Sequence, residues 1–294
     1  MNLKRNVYQL VTERIIERLA AGVVPWHRPW TGVGAPRNLI SMREYNGINV
    51  FLLASMGYES PYWLTWHQLK RLGGYVKKGE KATPVVFWKR YESKTDETDK
   101  NGNRSTKNRS FLRHFSVFNV VQCQDIAQHI LQKDEQLHEF NPIAAAESVV
   151  TGMPQQPIIE HGHQQASYMP SRDTVRISRP GRFKSVEGYY ATLFHELSHS
   201  TGHEKRLDRQ GITEIAAFGS DKYSEEELVA EMGAAFLCGH VGIGTATIDN
   251  SAAYIHHWMQ RLKEDKRLIV RTASQAQKAA DFILGERSGQ GRCP

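Results

Sequence analysis

His195-Glu196-Leu197-Ser198-His199 constrains this chain more than any other stretch, because it sets two imidazoles and a carboxylate on successive turns of one helix. Residues four apart share a helix face, so His195 and His199 can grip one metal ion together. Glu196 sits beside them, where a carboxylate can serve as general base toward water. Val186, Tyr190, Leu193, Phe194 and Leu197 recur at helical spacing around the motif, and Gly202 supplies a stop.

A catalytic metal site of this kind needs a third protein ligand. His203 continues the four-residue spacing, but three such residues on a straight helix spread over about 12 Å. Bonds near about 2.1 Å cannot all converge from that span. Lys205 occupies the position ten residues after His195, where another common pattern carries a histidine. The better donor lies downstream, where Leu228, Val229, Met232, Ala235 and Phe236 form an apolar helix face and Glu227 and Glu231 stand one turn apart. Glu227 is expected as the third metal ligand. Glu231 is expected behind the ligands, accepting the spare N–H of a ligand histidine, and the reverse order stays open. Glu225 and Glu226 are expected as solvated carboxylates at a helix start.

The net charge of +7 is unevenly shared. Residues 1–130 hold 20 Lys and Arg against 10 Asp and Glu, whereas residues 131–294 hold 18 against 21. Trp26, Trp30, Trp63, Trp66 and Trp88 also fall in the first part, which points to two modules with different partners. No apolar run approaches the ~20 residues that span a bilayer. The charged N-terminus does not resemble a signal peptide's apolar core. Cys123, Cys238 and Cys293 form no CxxC pair, so a reducing cytoplasm is the expected home.

Along the chain, residues 3–20 are expected as an amphipathic helix, with Val7, Leu10, Val11, Ile15 and Leu19 on one face. A turn at 45–49 leads into the apolar run Val50–Leu53. A short helix is expected from Thr65 to Leu72, closed by Gly73 and Gly74, with strands near Val76 and from Pro84 to Tyr91. Residues 92–110 contain no apolar side chain and are expected as a mobile hairpin loop, followed by a returning strand to Cys123. Helix is expected over 126–137, and 141–170 is expected as a passage between domains. Asp173–Ile177 is expected as a strand at a cleft edge, where an extended peptide could pair. Two core helices follow, the first with Tyr254, Trp258 and Leu262 inward and the second from Val270 to Leu284. Tyr254, His240 and His256 are the later residues to watch as transition-state donors.

A groove that tracks single-stranded nucleic acid needs cations for phosphates and flat side chains for bases. The basic part interleaves both: Trp26, Arg28, Trp30, Arg37, Arg43, Tyr45, Trp63, Trp66, Lys70, Arg71, Tyr75, Lys77, Lys78 and Lys81. It has no zinc-finger spacing and no RNP1 run, so binding without sequence preference is expected.

These residues also carry a family resemblance. Residues 25–30 (PWHRPW), Tyr45-x-Gly47-Ile48-Asn49, Trp63-Leu64-Thr65, Gly73-Gly74-x-Val76-x-Lys78-Gly79-Glu80 and Val117-Phe118-Asn119 resemble the N-terminal single-stranded-DNA-binding domain of ArdC-type antirestriction proteins. Those plasmid-borne proteins are related to the N-terminal region of the TraC primase. Tyr189–Leu197 and Glu226–Glu231 resemble the zincin-type metallopeptidase domain that follows it. The resemblance implies a zinc site at His195, His199 and a glutamate, with Glu196 as base. It places the ligand glutamate before the orienting acid, hence Glu227 before Glu231, although Glu231 replaces the usual aspartate.

The expectation is therefore an α+β protein of two domains. Residues 1–135 form a basic α+β single-stranded-DNA-binding domain, 136–165 an interdomain passage, and 166–294 a zincin-like metallopeptidase domain. The expected cofactor is zinc, or another divalent metal such as manganese. The expected partners are single-stranded DNA and a protein substrate or restriction-related protein, with no membrane. The expected role is antirestriction, protecting incoming plasmid DNA during conjugation through a gluzincin-like site. The alternative is a DNA-binding shield whose metal site is structural or inactive. A metal-dependent nuclease fits less well, because such sites are usually carboxylate-rich.

Overall fold

Asn6 caps the first helix, α1 (Val7–Ala20), by accepting a hydrogen bond from the Tyr8 N–H, and the face given by the apolar spacing is buried at Val11, Ile15 and Leu19. The computed structural model describes residues 6–27, 34–98, 104–126, 142–213, 221–243 and 252–286. The helix expected over 126–137 falls almost wholly outside these residues.

The N-terminal half is built on a four-stranded sheet of β1 (Arg37–Asn38), β2 (Tyr62–Thr65), β4 (Thr83–Thr98) and β5 (Arg104–Asn119), in the order β1-β2-β5-β4. β1 runs parallel to β2, and the other pairs are antiparallel. A separate pair joins β3 (Tyr75–Val76) to β6 (Cys123–Gln124). The apolar run after the 45–49 turn is a helix, α2 (Ile48–Ala54). α3 (Trp66–Arg71) begins at a capping box in which Thr65 and Gln68 satisfy each other's backbone N–H groups. The 92–110 stretch departs from the expected loop. Strand pairing continues from Glu92 opposite Asn108 to Thr98 opposite Arg104, with one register shift. A two-stranded ladder satisfies its own backbone groups and needs no apolar side chain to do so.

The C-terminal half opens with α4 (Pro142–Gly152) and a three-stranded sheet of β7 (Ile158–His161), β8 (Ser167–Met169) and β9 (Thr174–Ile177). The stretch read as a passage thus holds a helix and two strands. Ala146 and Val150, four residues apart, bury the inner face of α4. The sheet order is β7-β9-β8, so the expected strand exists but sits in the middle, paired on both sides. The edge strands are β7 and β8. Among the described residues five further helices follow: α5 (Val186–Ser200), α6 (Gln210–Thr213), α7 (Asp221–His240), α8 (Ala252–Glu264) and α9 (Leu268–Ile283). Among the described residues no helix is long and apolar enough to cross a membrane.

The main apolar core does not stop between the halves. Val11, Ile15, Trp26, Val50, Phe51 and Val86 join Phe236, Trp258, Leu262 and Ala273 in one cluster, with the Phe51 and Phe236 ring centroids 4.7 Å apart. One polar knot is set into this seam. Trp26 is fully buried, and its indole N–H lies 2.9 Å from Glu231 Oε2 and 3.1 Å from the Tyr254 hydroxyl. Tyr254 also donates to Glu231, and burial and that carboxylate hold its phenol above the usual value. A buried carboxylate is tolerated only with such donors around it. Trp26→Phe keeps an aromatic ring but removes one donor and some volume, an expected cost of about 3 kcal/mol. A urea titration should show a lower midpoint with an unchanged slope.

Candidate metal centre

The site is made where α5 crosses α7. Ser185 caps α5 by accepting from the Gly188 N–H, and the helix then runs through His195 and His199 to Ser200. The crossing depends on Gly233 of α7. A Cβ there would stand 2.6 Å from Ser198 Oγ, so only glycine lets the helices come this close. That approach lays Glu227 over the two imidazoles. His195 Nε2 and His199 Nε2 are 3.1 Å apart, and each lies 3.6 Å from an oxygen of Glu227. Tetrahedral donors with bonds near 2.1 Å sit about 3.4 Å from one another. The donor set of two imidazole nitrogens and one carboxylate oxygen therefore fits a divalent cation with one position left open.

The surroundings are strongly polarised. Burial alone would lower the pKa of His199, but Glu226 and Glu227 overcome it and push the ring up to about 10. Burial pulls Glu227 upward, yet His195 and His199 hold it well below the usual carboxylate range. Glu196 is buried, which raises its pKa, and the Tyr168 backbone hydrogen bonds to it. Tyr223, one turn before Glu227, has its phenol pushed up to about 12 by burial and by Glu227. His195, Glu196, His199, Tyr223, Glu226 and Glu227 line a cleft of about 390 Å³ that the edge strand β8 borders at Ser167 and Tyr168.

Glu231 is not behind the histidines. It faces the seam, held by Trp26 and Tyr254 one turn beyond Glu227. The carboxylate behind His199 is Glu226, only 5% exposed, with Oε1 3.4 Å from His199 Nδ1. That separation is longer than a well-formed hydrogen bond, and Nδ1 is otherwise unpartnered. Glu226 was expected in solvent because it starts a helix among other acids. Buried Arg209 accounts for its inward position: the guanidinium pairs with both Glu226 oxygens at 2.9 and 2.6 Å and donates to Thr201 Oγ1 and the Ser198 carbonyl. A lone arginine in a polar stretch carries no sequence signal of this. His203 lies in the turn after α5, its Nδ1 accepting from the Lys205 N–H. Tyr254 belongs to the seam knot, and neither His240 nor His256 lines the metal cleft.

The expected DNA-binding residues divide by exposure. Trp26 and Trp63 are buried at 0% and 2% and offer no face to a base, because both pack in apolar cores. Tyr45 is largely buried against Phe87. Arg37 is engaged by Glu44 at 3.2 Å. Trp66 is 48% exposed, with Lys70 Nζ 5.2 Å from its ring centre. Arg43, Arg71, Lys77, Lys78 and Lys81 are exposed, Lys77 reaching the Val121 carbonyl. Arg28 and Trp30 lie outside the described residues. Tyr75 is half exposed, as is Trp88, which lies outside the expected set.

Residues 5–118 match the family described as the N-terminal domain of anti-restriction factor ArdC, and residues 144–275 match that described as zincin-like metallopeptidase. Two Escherichia coli proteins named DNA primase TraC are 37% and 33% identical over 96% and 97% of the chain, which spans only 27% and 20% of their lengths. The Sinorhizobium fredii protein y4eC is 32% identical, with 96% of this chain and 93% of that protein covered. The metal-free crystal structure of the antirestriction ArdC protein from the R388 plasmid is 36% identical with a TM-score of 0.73, over 94% of this chain and 96% of that one. Its Mn(II)-bound structure is 35% identical with a TM-score of 0.71, over 97% and 100%. A matching domain pair in the same order, on a shared fold and over nearly the whole chain, has one consequence: this chain belongs to the ArdC-type antirestriction family.

Proposed function

We propose that the chain is a zinc-dependent peptidase that binds single-stranded DNA without sequence preference and protects incoming plasmid DNA from restriction during conjugation. The observation that carries the peptidase reading is the convergence of His195, His199 and Glu227 on one side of an open cleft, with Glu196 beside them. A divalent cation held by those three residues would supply Lewis acidity and lower the pKa of water. Glu196 takes the proton from the attacking water and returns it to the departing amine. Tyr168 holds the Glu196 carboxylate through its backbone, and β8 offers an extended edge along which a substrate peptide can lie. Glu226, clamped by Arg209, orients the His199 ring from behind.

The DNA reading rests on exposed Trp66 with Lys70, and on the neighbouring cations Arg71, Lys77, Lys78 and Lys81. Cys123 and Cys238 are buried and free, which suits a reducing cytoplasm.

Metal affinity separates the roles of the three glutamates. In calorimetric titrations Glu227→Ala should abolish tight binding, and Glu226→Gln should weaken it about 10- to 100-fold. Glu231→Gln should leave metal affinity nearly unchanged while lowering thermal stability. For function, Glu196→Gln should retain metal and single-stranded DNA binding but lose cleavage of denatured casein or of DNA-associated proteins by at least about 100-fold. Antirestriction that survives Glu196→Gln intact would favour instead a DNA-binding shield with an inactive metal site.

A further inference from the structure

We propose that Tyr8, Trp88 and Arg267 form a second stacking platform for single-stranded DNA, one that carries the strand across the seam onto the metallopeptidase half. The inference rests on the single-stranded-DNA reading above and adds a site to it. Trp88, on β4, is 50% exposed although Val85 and Val86 beside it are buried. Tyr8 of α1 meets its ring edge-on, with centroids 6.4 Å apart at 64°. The guanidinium carbon of Arg267 lies 5.4 Å from the Tyr8 ring centre. Tyr8 thus touches both an indole and a guanidinium, from segments 80 and 259 residues further along the chain.

The group is held firmly. Thr12 Oγ1 donates to the Lys266 carbonyl at 2.8 Å, which ties the turn between α8 and α9 to α1. The Arg267 N–H is fixed by Asp265 Oδ1 at 2.8 Å. Local acids are already engaged, Asp265 by Arg271 at 3.2 Å and Glu264 by Arg261 at 3.6 Å. Lys263, Lys266 and Arg267 are exposed at and beside the turn between α8 and α9. Flat groups beside a cation suit unpaired bases on a phosphate backbone, since stacking tolerates any base and the cation meets a phosphate. Duplex DNA stacks its bases internally and cannot use such faces. The platform accounts for the large exposed indole of Trp88.

The test uses the full-length chain and a fluorescent oligo-dT of about 20 nucleotides, titrated by anisotropy at several salt concentrations. Trp88→Ala should weaken binding about tenfold or more, and Trp88→Phe should restore most of it. Arg267→Gln should weaken binding and reduce the salt slope by about one. Photo-crosslinking with 5-iodo-deoxyuridine should label Trp88 or Tyr8. If the wild type binds oligo-dT while Trp88→Ala and Arg267→Gln bind equally well, the platform is overturned and the DNA reading stands. Crosslinks confined to residues around Trp66 would also overturn it. A wild type that binds no oligo-dT at low salt would defeat the DNA reading itself. Should Trp88→Ala melt early, the exposed Arg267→Gln substitution and the crosslinks still decide.

Discussion

The approach of α5 to α7 at Gly233 is the constraint on which the site depends. Helices with ordinary side chains at the crossing pack about 8–10 Å apart. Removing the one Cβ that would strike Ser198 lets Glu227 reach imidazoles that project from the neighbouring helix. Three donor atoms then fall within 4.8 Å of one another. The acids of the site are balanced by the imidazoles and by Arg209 beside them. Glu226 illustrates the balance. Its burial is unfavourable alone, but the bidentate Arg209 pair offsets it and leaves one oxygen facing His199.

A single helix serves two purposes through its period. On α7, Glu227 faces the metal cleft and Glu231, one turn later, faces the seam. The seam is apolar over most of its extent, so a polar knot within it restricts how the halves can be aligned: Glu231 must meet both Trp26 and Tyr254. Halves joined by a shared core of this kind are not expected to swing freely as linked beads. A change at Trp26 is therefore felt at the start of the basic half and one turn from a candidate metal ligand.

The basic half shows why aromatic content alone is an uncertain guide to nucleic-acid binding. Trp26 and Trp63 are core residues, whereas Trp66 and Trp88 are half exposed, although all four lie in the same basic, aromatic-rich part of the sequence. Burial is decided by which face of a strand or helix meets a neighbour, and that is a property of the assembled fold. The same holds for the long β4–β5 ladder, whose polar residues carry no apolar alternation but pair through their backbones.

Local chemistry was legible from the chain alone: the HExxH helix, the acidic partner helix, the amphipathic α1, the short helix after Thr65 and the imbalance of charge. Each rests on spacing within a few residues, where backbone period translates directly into a shared face. What only the tertiary structure decided lies between distant segments. It chose Glu226 over Glu231 behind His199, because Arg209, 17 residues earlier, neutralises the one while Trp26 and Tyr254 claim the other. It moved β9 from the edge to the middle of its sheet, because β7 and β8 pair with it from either side. Period fixes direction along one element, but packing fixes which directions meet.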